Sequence, residues 1–262
     1  MPLNLDLTGR VAVVTGGTRG VGAGIARAFL QAGAEVVVCA RRPPDTPVTA
    51  DGRTARFRPL DLREPDVVRE FFHTVAADHG RLDCLVNNAG GSPYRLLGET
   101  AAERHARVVE LNLIAPMTAS LAAYDVMRGQ PDGGSMIMIG SVSGTRPSPG
   151  TAAYGAAKAG LDNLARSMAV EWAPHVRVNT LVLGMVRTEL SALHYGDEAG
   201  VAAVGATVPL GRLAEPTEIG DACVFLASGR AGYVSGASLL VHGGGERPAF
   251  LDAATANHPK ES

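Results

Sequence analysis

The sequence is poor in lysine and carries little excess charge of either sign. Only Lys158 and Lys260 are lysines among its 24 basic residues, and the rest are arginines. The formal net charge is -2. A protein that binds nucleic acid needs an excess of positive charge to neutralise phosphates, so we expect no nucleic acid partner.

Cysteines and long apolar runs are also scarce. The three cysteines lie far apart, with no Cys-x-x-Cys spacing and no Cys/His cluster, so we expect buried core thiols and no metal site. No apolar stretch is long enough to span a bilayer, and the N-terminus has neither the basic segment nor the apolar core of a signal peptide. We therefore expect a cytoplasmic protein with no membrane partner.

The apolar pattern predicts one α/β domain over residues 1–262. Strands that are apolar throughout alternate with helical patterns, which indicates a parallel sheet covered by helices on both faces. Right-handed crossovers then give a doubly wound sheet of seven strands. We predict strands at 11–14, 35–40, 54–59, 82–87, 135–140, 176–182 and 237–242. We predict helices at 21–32, 65–78, 101–128, 152–172 and 216–227, a loop at 43–52 and a loosely ordered tail at 246–262.

A glycine-rich turn joins the first strand to the first helix. Residues 15–22 read TGGTRGVG, with the spacing G-x-x-x-G-x-G. Glycines let the backbone turn sharply and approach a pyrophosphate, and the start of the helix offers unpaired N–H groups at its positive end. Glycines also mark ordinary turns, but a cluster between a strand and a helix predicts a dinucleotide site.

The residues after the second strand favour NADP over NAD. An acidic residue at this place binds the ribose 2′-hydroxyl of NAD, whereas arginine suits a 2′-phosphate. Here the chain reads Ala40-Arg41-Arg42, and Arg19 lies inside the glycine turn. Guanidinium groups bind phosphate through two parallel hydrogen bonds. The alternative is that these are solvated loop arginines in an arginine-rich chain.

Tyr154 and Lys158 are four residues apart and share one face of a predicted helix. An ammonium group near a phenol favours the phenolate, so we expect a lowered tyrosine pKa. Chance could produce this spacing, but a chain that uses arginine almost everywhere keeps a lysine here, which indicates a need for a compact ammonium. Ser141, at the end of the fifth strand, is a candidate donor to a carbonyl oxygen, and Ser143 is an alternative.

Together these residues resemble the short-chain dehydrogenase/reductase family in its single-domain form, which has a Rossmann-type sheet. The resemblance runs from about Leu7 to Gly245. It rests on the glycine turn, on Asn87-Asn88-Ala89-Gly90, and on Asn112, Ser141, Tyr154 and Lys158.

The resemblance implies a role for each of four catalytic residues. Tyr154 is the general acid in reduction and the general base in oxidation, and Ser141 orients the substrate carbonyl. Lys158 holds the nicotinamide ribose and lowers the tyrosine pKa, and Asn112 holds a water that links Lys158 to solvent. The implied cofactor-binding residues are Gly16, Thr18, Arg19, Gly20, Val21, Gly22, Arg41, Arg42, Asp61, Leu62, Asn88, Ala89, Gly90, Ile139, Gly184, Val186 and Thr188.

Two positions depart from the family pattern. Leu183-Gly184 stands where the family usually has Pro-Gly, and His242 stands where it more often has Asp. Proline stiffens a turn, so its absence is expected to loosen the nicotinamide end or the segment that follows. We assign no role to His242.

The sequence predicts the substrate less specifically than it predicts the cofactor. Residues 188–213 are expected to form a lid, and its apolar residues favour a weakly polar carbonyl or alcohol substrate, although ordinary helix packing explains them equally well. These residues are Leu190, Leu193, Val201, Val204, Val208 and Leu210. The resemblance also implies a homotetramer built on the helices at 101–128 and 152–172, with a dimer as the alternative.

The expected function is NADP(H)-dependent interconversion of a ketone and a secondary alcohol. Three alternatives remain open from the sequence. They are an NAD-linked alcohol or hydroxysteroid-type dehydrogenase, an epimerase or dehydratase that uses the nicotinamide transiently, and a cofactor-binding regulator of the same fold without turnover.

Overall fold

Strands and helices alternate along the computed structural model, which describes residues 5–254. The first half contains β1 (Val11–Thr15), α1 (Gly20–Gln31), β2 (Glu35–Ala40), β3 (Thr49–Ala50), β4 (Arg53–Thr54), β5 (Arg56–Pro59), α2 (Pro65–His79), β6 (Cys84–Asn87), α3 (Ala102–Val109) and α4 (Ala115–Met127). The second half contains β7 (Gly134–Ser141), α5 (Ala152–Glu171), β8 (Val176–Leu183), α6 (Ser191–Tyr195), α7 (Glu198–Thr207), α8 (Pro216–Ala227), β9 (Ser238–Val241) and α9 (Ala249–Ala253).

Seven strands form one sheet in the order β5-β2-β1-β6-β7-β8-β9. Every neighbouring pair in this sheet is parallel. The chain order reverses between β1 and β6, and ligands of such sheets bind beyond the carboxyl ends of the strands at this reversal. The predicted doubly wound sheet of seven strands is confirmed.

The sheet has an apolar core on each face, which explains why its central strands are apolar throughout. In β1, Val11 and Val13 contact the core under α2, α4 and α5, while Ala12 and Val14 contact the core under α1 and α8. Successive side chains of a strand point to opposite faces, so both sets are buried. The three cysteines are also buried in these cores, as predicted.

The segment predicted as a loop at 43–52 contains part of a hairpin. β3 and β4 pair antiparallel across Asp51 and Gly52, whose φ angles are 50° and 74°. An Asp-Gly pair with positive φ at both positions is the preferred two-residue turn between antiparallel strands. Val48 is buried beside it against the α1 side of the sheet. The loop prediction was wrong here because it ignored this turn signal.

The helix predicted over 101–128 is interrupted in the middle. α3 and α4 are separated by one π-helical turn at Glu110–Ile114, which contains Asn112. Such a turn holds one more residue than an α-helical turn, and sequence periodicity does not reveal it.

The last predicted segment is only partly described. Within the tail predicted at 246–262, α9 occupies Ala249–Ala253, and residues 255–262 lie outside the described residues. Across residues 5–254, every helix is too short or too polar to cross a bilayer.

Candidate active site

A crevice of about 680 Å³ opens at the carboxyl ends of β1, β6, β7 and β8. It is called the main crevice below. All the predicted site residues line it except Arg42 and Asn112. The topology therefore brings together residues from position 16 to position 188 of the chain, as expected at the reversal of strand order.

The glycine turn gives the crevice a backbone wall. Gly16 and Gly20 have φ angles of 63° and 53°, a region in which other residues are strained. A Cβ on Gly22 would overlap the carbonyl oxygen of Gly16 and lie 2.5 Å from Nδ2 of Asn88. Three of the motif's glycines are thus required by geometry, and they leave the first turn of α1 open toward the crevice.

Hydrogen bonds tie the end of β1 to the end of β6. Asn88 Nδ2 donates to Thr15 O at 2.9 Å, and the backbone N–H groups of Asn88 and Ala89 donate to Thr15 Oγ1 at 3.0 Å. These bonds fix the segment Asn88–Gly90 beside the glycine turn. A dinucleotide fits here, because the turn offers backbone donors and the space that side chains would fill is empty.

The end of the crevice near β2 is rich in arginine. Arg19 and Arg41 are exposed and make no ion pair within the described part of the chain. Arg63 instead pairs with Asp61 at 2.5 Å, and hydrogen bonds from Arg63 lower the pKa of Asp61 to about 2. Arg63 was missed from the sequence, although it follows the predicted Asp61-Leu62. Arg42 does not line the crevice, because its neighbour Arg41 takes that position.

The other end of the crevice carries Tyr154 and Lys158. One turn of α5 separates them, and Lys158 Nζ lies 5.5 Å from the centroid of the Tyr154 ring. Lys158 is buried and donates a hydrogen bond of 2.7 Å to the carbonyl oxygen of Ile139 in β7. Burial lowers the pKa of Lys158 to about 8, because a charged amine is costly to remove from water.

The pKa of Tyr154 shifts in the direction opposite to the one expected. Burial raises it above its usual value of 10, and a hydrogen bond with the Ser141 side chain lowers it by a smaller amount. The ammonium of Lys158 is hydrogen-bonded to Ile139, and desolvation dominates the phenol. The phenol of Tyr154 is therefore protonated at neutral pH.

The structure separates the two candidate serines. Ser141 lines the main crevice at the end of β7, whereas Ser143 does not. The backbone N–H of Ser143 donates to Ser141 Oγ at 3.1 Å. This bond holds the Ser141 hydroxyl oxygen at the crevice wall, beside Tyr154.

Asn112 lies behind the crevice wall and does not line it. It is fully buried in the π-helical turn. Its Oδ1 accepts from the N–H of Gly91 at 2.9 Å, and its Nδ2 donates to the carbonyl oxygens of Gly91 and Val108 at 2.9 and 2.8 Å. The side chain thus positions the segment that follows Gly90, and both N–H donors of its amide group are used in doing so.

The segment after β8 explains one of the two sequence departures. A Cβ on Gly184 would lie 2.8 Å from the Cα of His242, so the backbone that follows β9 approaches too closely for any other residue. Leu183 is a buried strand residue, in register with Ser141 on one side and Val241 on the other. Pairing within the sheet therefore restrains the backbone at Leu183, the position at which the family usually has proline.

The predicted lid contributes fewer apolar residues than expected. Of the six apolar residues, only Leu190 lines the main crevice. Val201 and Val208 are buried in packing, and Leu193 and Leu210 are 79% and 70% exposed. Three polar or aromatic residues of the lid, Glu189, His194 and Tyr195, also line the crevice, together with Met185 just before the lid. The apolar substrate argument therefore loses most of its support.

The fold and this site define an oxidoreductase of the Rossmann type. A family model described as enoyl-(acyl carrier protein) reductase matches residues 16–246. The chain belongs to the short-chain dehydrogenase/reductase family, and it is an oxidoreductase that acts on CH–OH groups. The family binds a nicotinamide cofactor.

Three similar proteins illustrate the range of the family. A 3-oxoacyl-[acyl-carrier-protein] reductase of Vibrio cholerae is 36% identical over 245 residues, covering 92% of this chain and 98% of the relative. An L-fucose dehydrogenase of Oryctolagus cuniculus is also 36% identical over 245 residues, covering 91% and 85%. The crystal structure of a short-chain type dehydrogenase/reductase from Mycobacterium marinum has a TM-score of 0.85 at 32% identity, covering 94% and 98%.

Proposed function

We propose that the protein interconverts a ketone and a secondary alcohol with NADP(H), and that Tyr154 transfers the proton. The observation that carries this proposal is the convergence of Ser141, Tyr154 and Lys158 on one end of a crevice that begins at the glycine turn. Each group has the chemistry that this reaction requires of the protein.

In reduction, the Tyr154 hydroxyl donates its proton to the substrate oxygen. The raised pKa of Tyr154 keeps this proton in place at neutral pH. Ser141 donates a hydrogen bond to the same oxygen and keeps the carbonyl at the phenol. Lys158, held by Ile139, supplies the positive charge beside the phenol that stabilises the phenolate as the proton leaves. The nicotinamide, when bound, supplies or accepts the hydride.

The arginines at the β2 end support NADP(H). Arg19 and Arg41 line the crevice without an ion pair in the described part of the chain, and a 2′-phosphate is an anionic partner that suits both guanidinium groups. The glycine turn and Asn88–Gly90, with Ile139, Gly184, Val186 and Thr188, form the rest of the cofactor site. The similarity to an L-fucose dehydrogenase favours a second candidate, an enzyme that works in the oxidative direction.

Two of the surfaces that expose apolar residues support a homotetramer. Ile114 and Leu121 are exposed on the helical side, around α4. Val170, Tyr233 and Leu240 are exposed near the β9 edge of the sheet. Two distinct interfaces are what a tetramer with dihedral symmetry needs. Light scattering that shows only a monomer would reject this assembly.

A screen of carbonyl compounds with NADPH tests the proposed function. We expect wild type to oxidise NADPH with at least one ketone, and Tyr154→Phe to lose about 10²- to 10⁴-fold in kcat while binding NADPH normally. Tyr124→Phe is the control, since Tyr124 stacks on Trp172 outside the crevice. If Tyr154→Phe retained full turnover, or if NADH were clearly preferred, the corresponding part of the proposal would be wrong.

A further inference from the structure

A second cavity, of about 360 Å³, lies beside the main crevice. It is bounded by the segment 91–95, by α3 and by the start of α5. We call it the arginine pocket. Its wall is formed by Gly91, Ser92, Pro93, Arg95, Thr100, Arg104, His105, Arg107, Val108, Leu111, Gly150, Thr151, Ala152 and Ala153.

The charged residues of this wall are all positive. It contains Arg95, Arg104 and Arg107, and it contains no aspartate or glutamate. Ten arginines in the described part of the chain form ion pairs with carboxylates, as Arg81 does with Asp83. Within residues 5–254, the guanidinium groups of Arg95, Arg104 and Arg107 have no such partner and no hydrogen bond. Three unpaired guanidinium groups around one cavity make a site for a carboxylate or a phosphate.

The arginine pocket is continuous with the main crevice. Gly91, Arg107 and Leu111 line both cavities. Ala153, on the pocket wall, is the residue before Tyr154, so their Cα atoms are about 3.8 Å apart. The two cavities therefore adjoin near the catalytic end, and a ligand that extends from one into the other contacts both the phenol and the arginines.

The two loops that form part of the pocket are held together, so the backbone that carries Arg95 has a defined position. The N–H of Arg95 donates to the carbonyl oxygen of Gly150 at 2.7 Å. The ring of Tyr94 lies over Gly150, where any Cβ would overlap it. Asn112 fixes the other end of the same segment through Gly91. These contacts fix the backbone of segment 91–95 and of Gly150, so this part of the wall is in place before a ligand binds.

We infer that the arginine pocket binds a carboxylate or phosphate on the substrate, so that the substrate class is an anionic ketone or alcohol. This inference rests on the proposed function and replaces the weakly polar substrate expected from the sequence. The reacting carbonyl of the substrate then lies at Tyr154 and Ser141, and its anionic group lies against Arg95 and Arg104.

A matched pair of ketones tests the inference. Acetoacetate carries a carboxylate, and ethyl acetoacetate is its neutral ester. We expect wild type to prefer acetoacetate in kcat/KM, and Arg95→Ala or Arg104→Ala to reduce this preference by about 10- to 100-fold, because each removes a charge-assisted hydrogen bond. Arg230→Ala is the control, since Arg230 is also exposed and lines neither cavity.

A binding measurement separates this inference from the proposed function. Inorganic phosphate, titrated by calorimetry in the absence of cofactor, should bind wild type and Arg230→Ala and should bind the Arg95→Ala/Arg104→Ala double variant more weakly by about 10-fold or more. Phosphate that binds elsewhere, at Arg19 or Arg41, is unaffected by these substitutions.

The outcomes are distinct. Reduction of neither ketone counts against the proposed function, and the phosphate titration then decides about the pocket. Equal use of the two ketones by wild type, or equal phosphate binding by wild type and the double variant, would overturn the inference. So would a change of oligomeric mass in Arg104→Ala, because it would show that the arginines pair with a second copy of the chain.

Discussion

Lys158 Nζ and the carbonyl oxygen of Ile139 form a hydrogen bond of 2.7 Å between α5 and β7. A buried ammonium is usually paired with a carboxylate, but here a neutral backbone oxygen at the end of a strand holds it. The amine therefore keeps its donors for the crevice at a cost in folding free energy. Lowering the pKa of Lys158 from 10.5 to about 8 corresponds to a cost of about 3 kcal/mol at pH 7.

This cost predicts a pH-dependent difference in stability between wild type and Lys158→Met. Between pH 8 and 10.5 the unfolded chain holds a proton on Lys158 that the folded chain has lost, so wild type gains stability as the pH rises. We expect wild type to gain about 3 kcal/mol relative to the variant across this window. Urea unfolding at several pH values measures it. A difference that stays constant from pH 7 to 10.5 would contradict the lowered pKa.

Gly22→Ala is predicted to disrupt the glycine turn. The added Cβ would overlap Gly16 O and crowd Asn88 Nδ2, so the start of α1 has to move. We expect a loss of about 1–3 kcal/mol in the free energy of unfolding, as for other overpacked sites, and a loss of NADPH binding measured by fluorescence titration. Gly229→Ala is the control, because a Cβ there meets nothing within 4 Å. Normal NADPH affinity in Gly22→Ala would argue against a backbone wall at this turn.

Adjacent arginines give a matched test of cofactor choice. Arg41 lines the main crevice and Arg42 does not. We expect Arg41→Ala to raise the KM for NADPH by roughly 10- to 100-fold, with a much smaller effect on NADH, because a charge-assisted contact to the 2′-phosphate is lost. Arg42→Ala should leave both constants near those of wild type. If the two substitutions had equal effects, Arg41 would contribute only to the overall positive charge of this surface and would not contact the 2′-phosphate.

Asn112→Ala should change turnover more than cofactor affinity. The variant loses three hydrogen bonds that fix Gly91 and Val108, and we expect the free energy of unfolding to fall by about 1–3 kcal/mol. Because the freed segment borders the catalytic end, kcat should fall while the KM for NADPH changes little. Asn163→Ala, at an exposed position of α5, is the control. If kcat fell and the KM for NADPH rose by similar factors, Asn112 would be assigned a role in cofactor binding.

Much of the site could be predicted from the sequence, because its residues follow the ends of predicted strands in short motifs. The glycine turn, Asn88–Gly90, Ser141 and the Tyr154/Lys158 pair all line the main crevice as expected. The direction of the Tyr154 pKa shift was not readable, because it depends on how far the ring is desolvated and on which atom receives the Lys158 hydrogen bond.

The arginine pocket and the hairpin were missed for different reasons. Arg95 and Arg104 lie in a stretch with no motif, and only the fold brings them to the same cavity as Gly150. The hairpin had a local signal, Asp51-Gly52, which the prolines at 43, 44 and 47 obscured. Local sequence patterns do not show which distant residues the fold brings together. A turn signal such as Asp51-Gly52 is local, so it can be used in a prediction.

The π-helical turn between α3 and α4 decides which face of α3 is turned toward the two cavities. α4 keeps Ala115, Ala119 and Ala123 against the sheet, while α3 presents Arg104 and Arg107 to the cavities. One residue corresponds to about 100° of helical phase. Loss of one residue at 110–114 would therefore turn Arg104 and Arg107 away from the arginine pocket while the alanines of α4 stay on the sheet, so this single turn sets where the two charges of α3 stand.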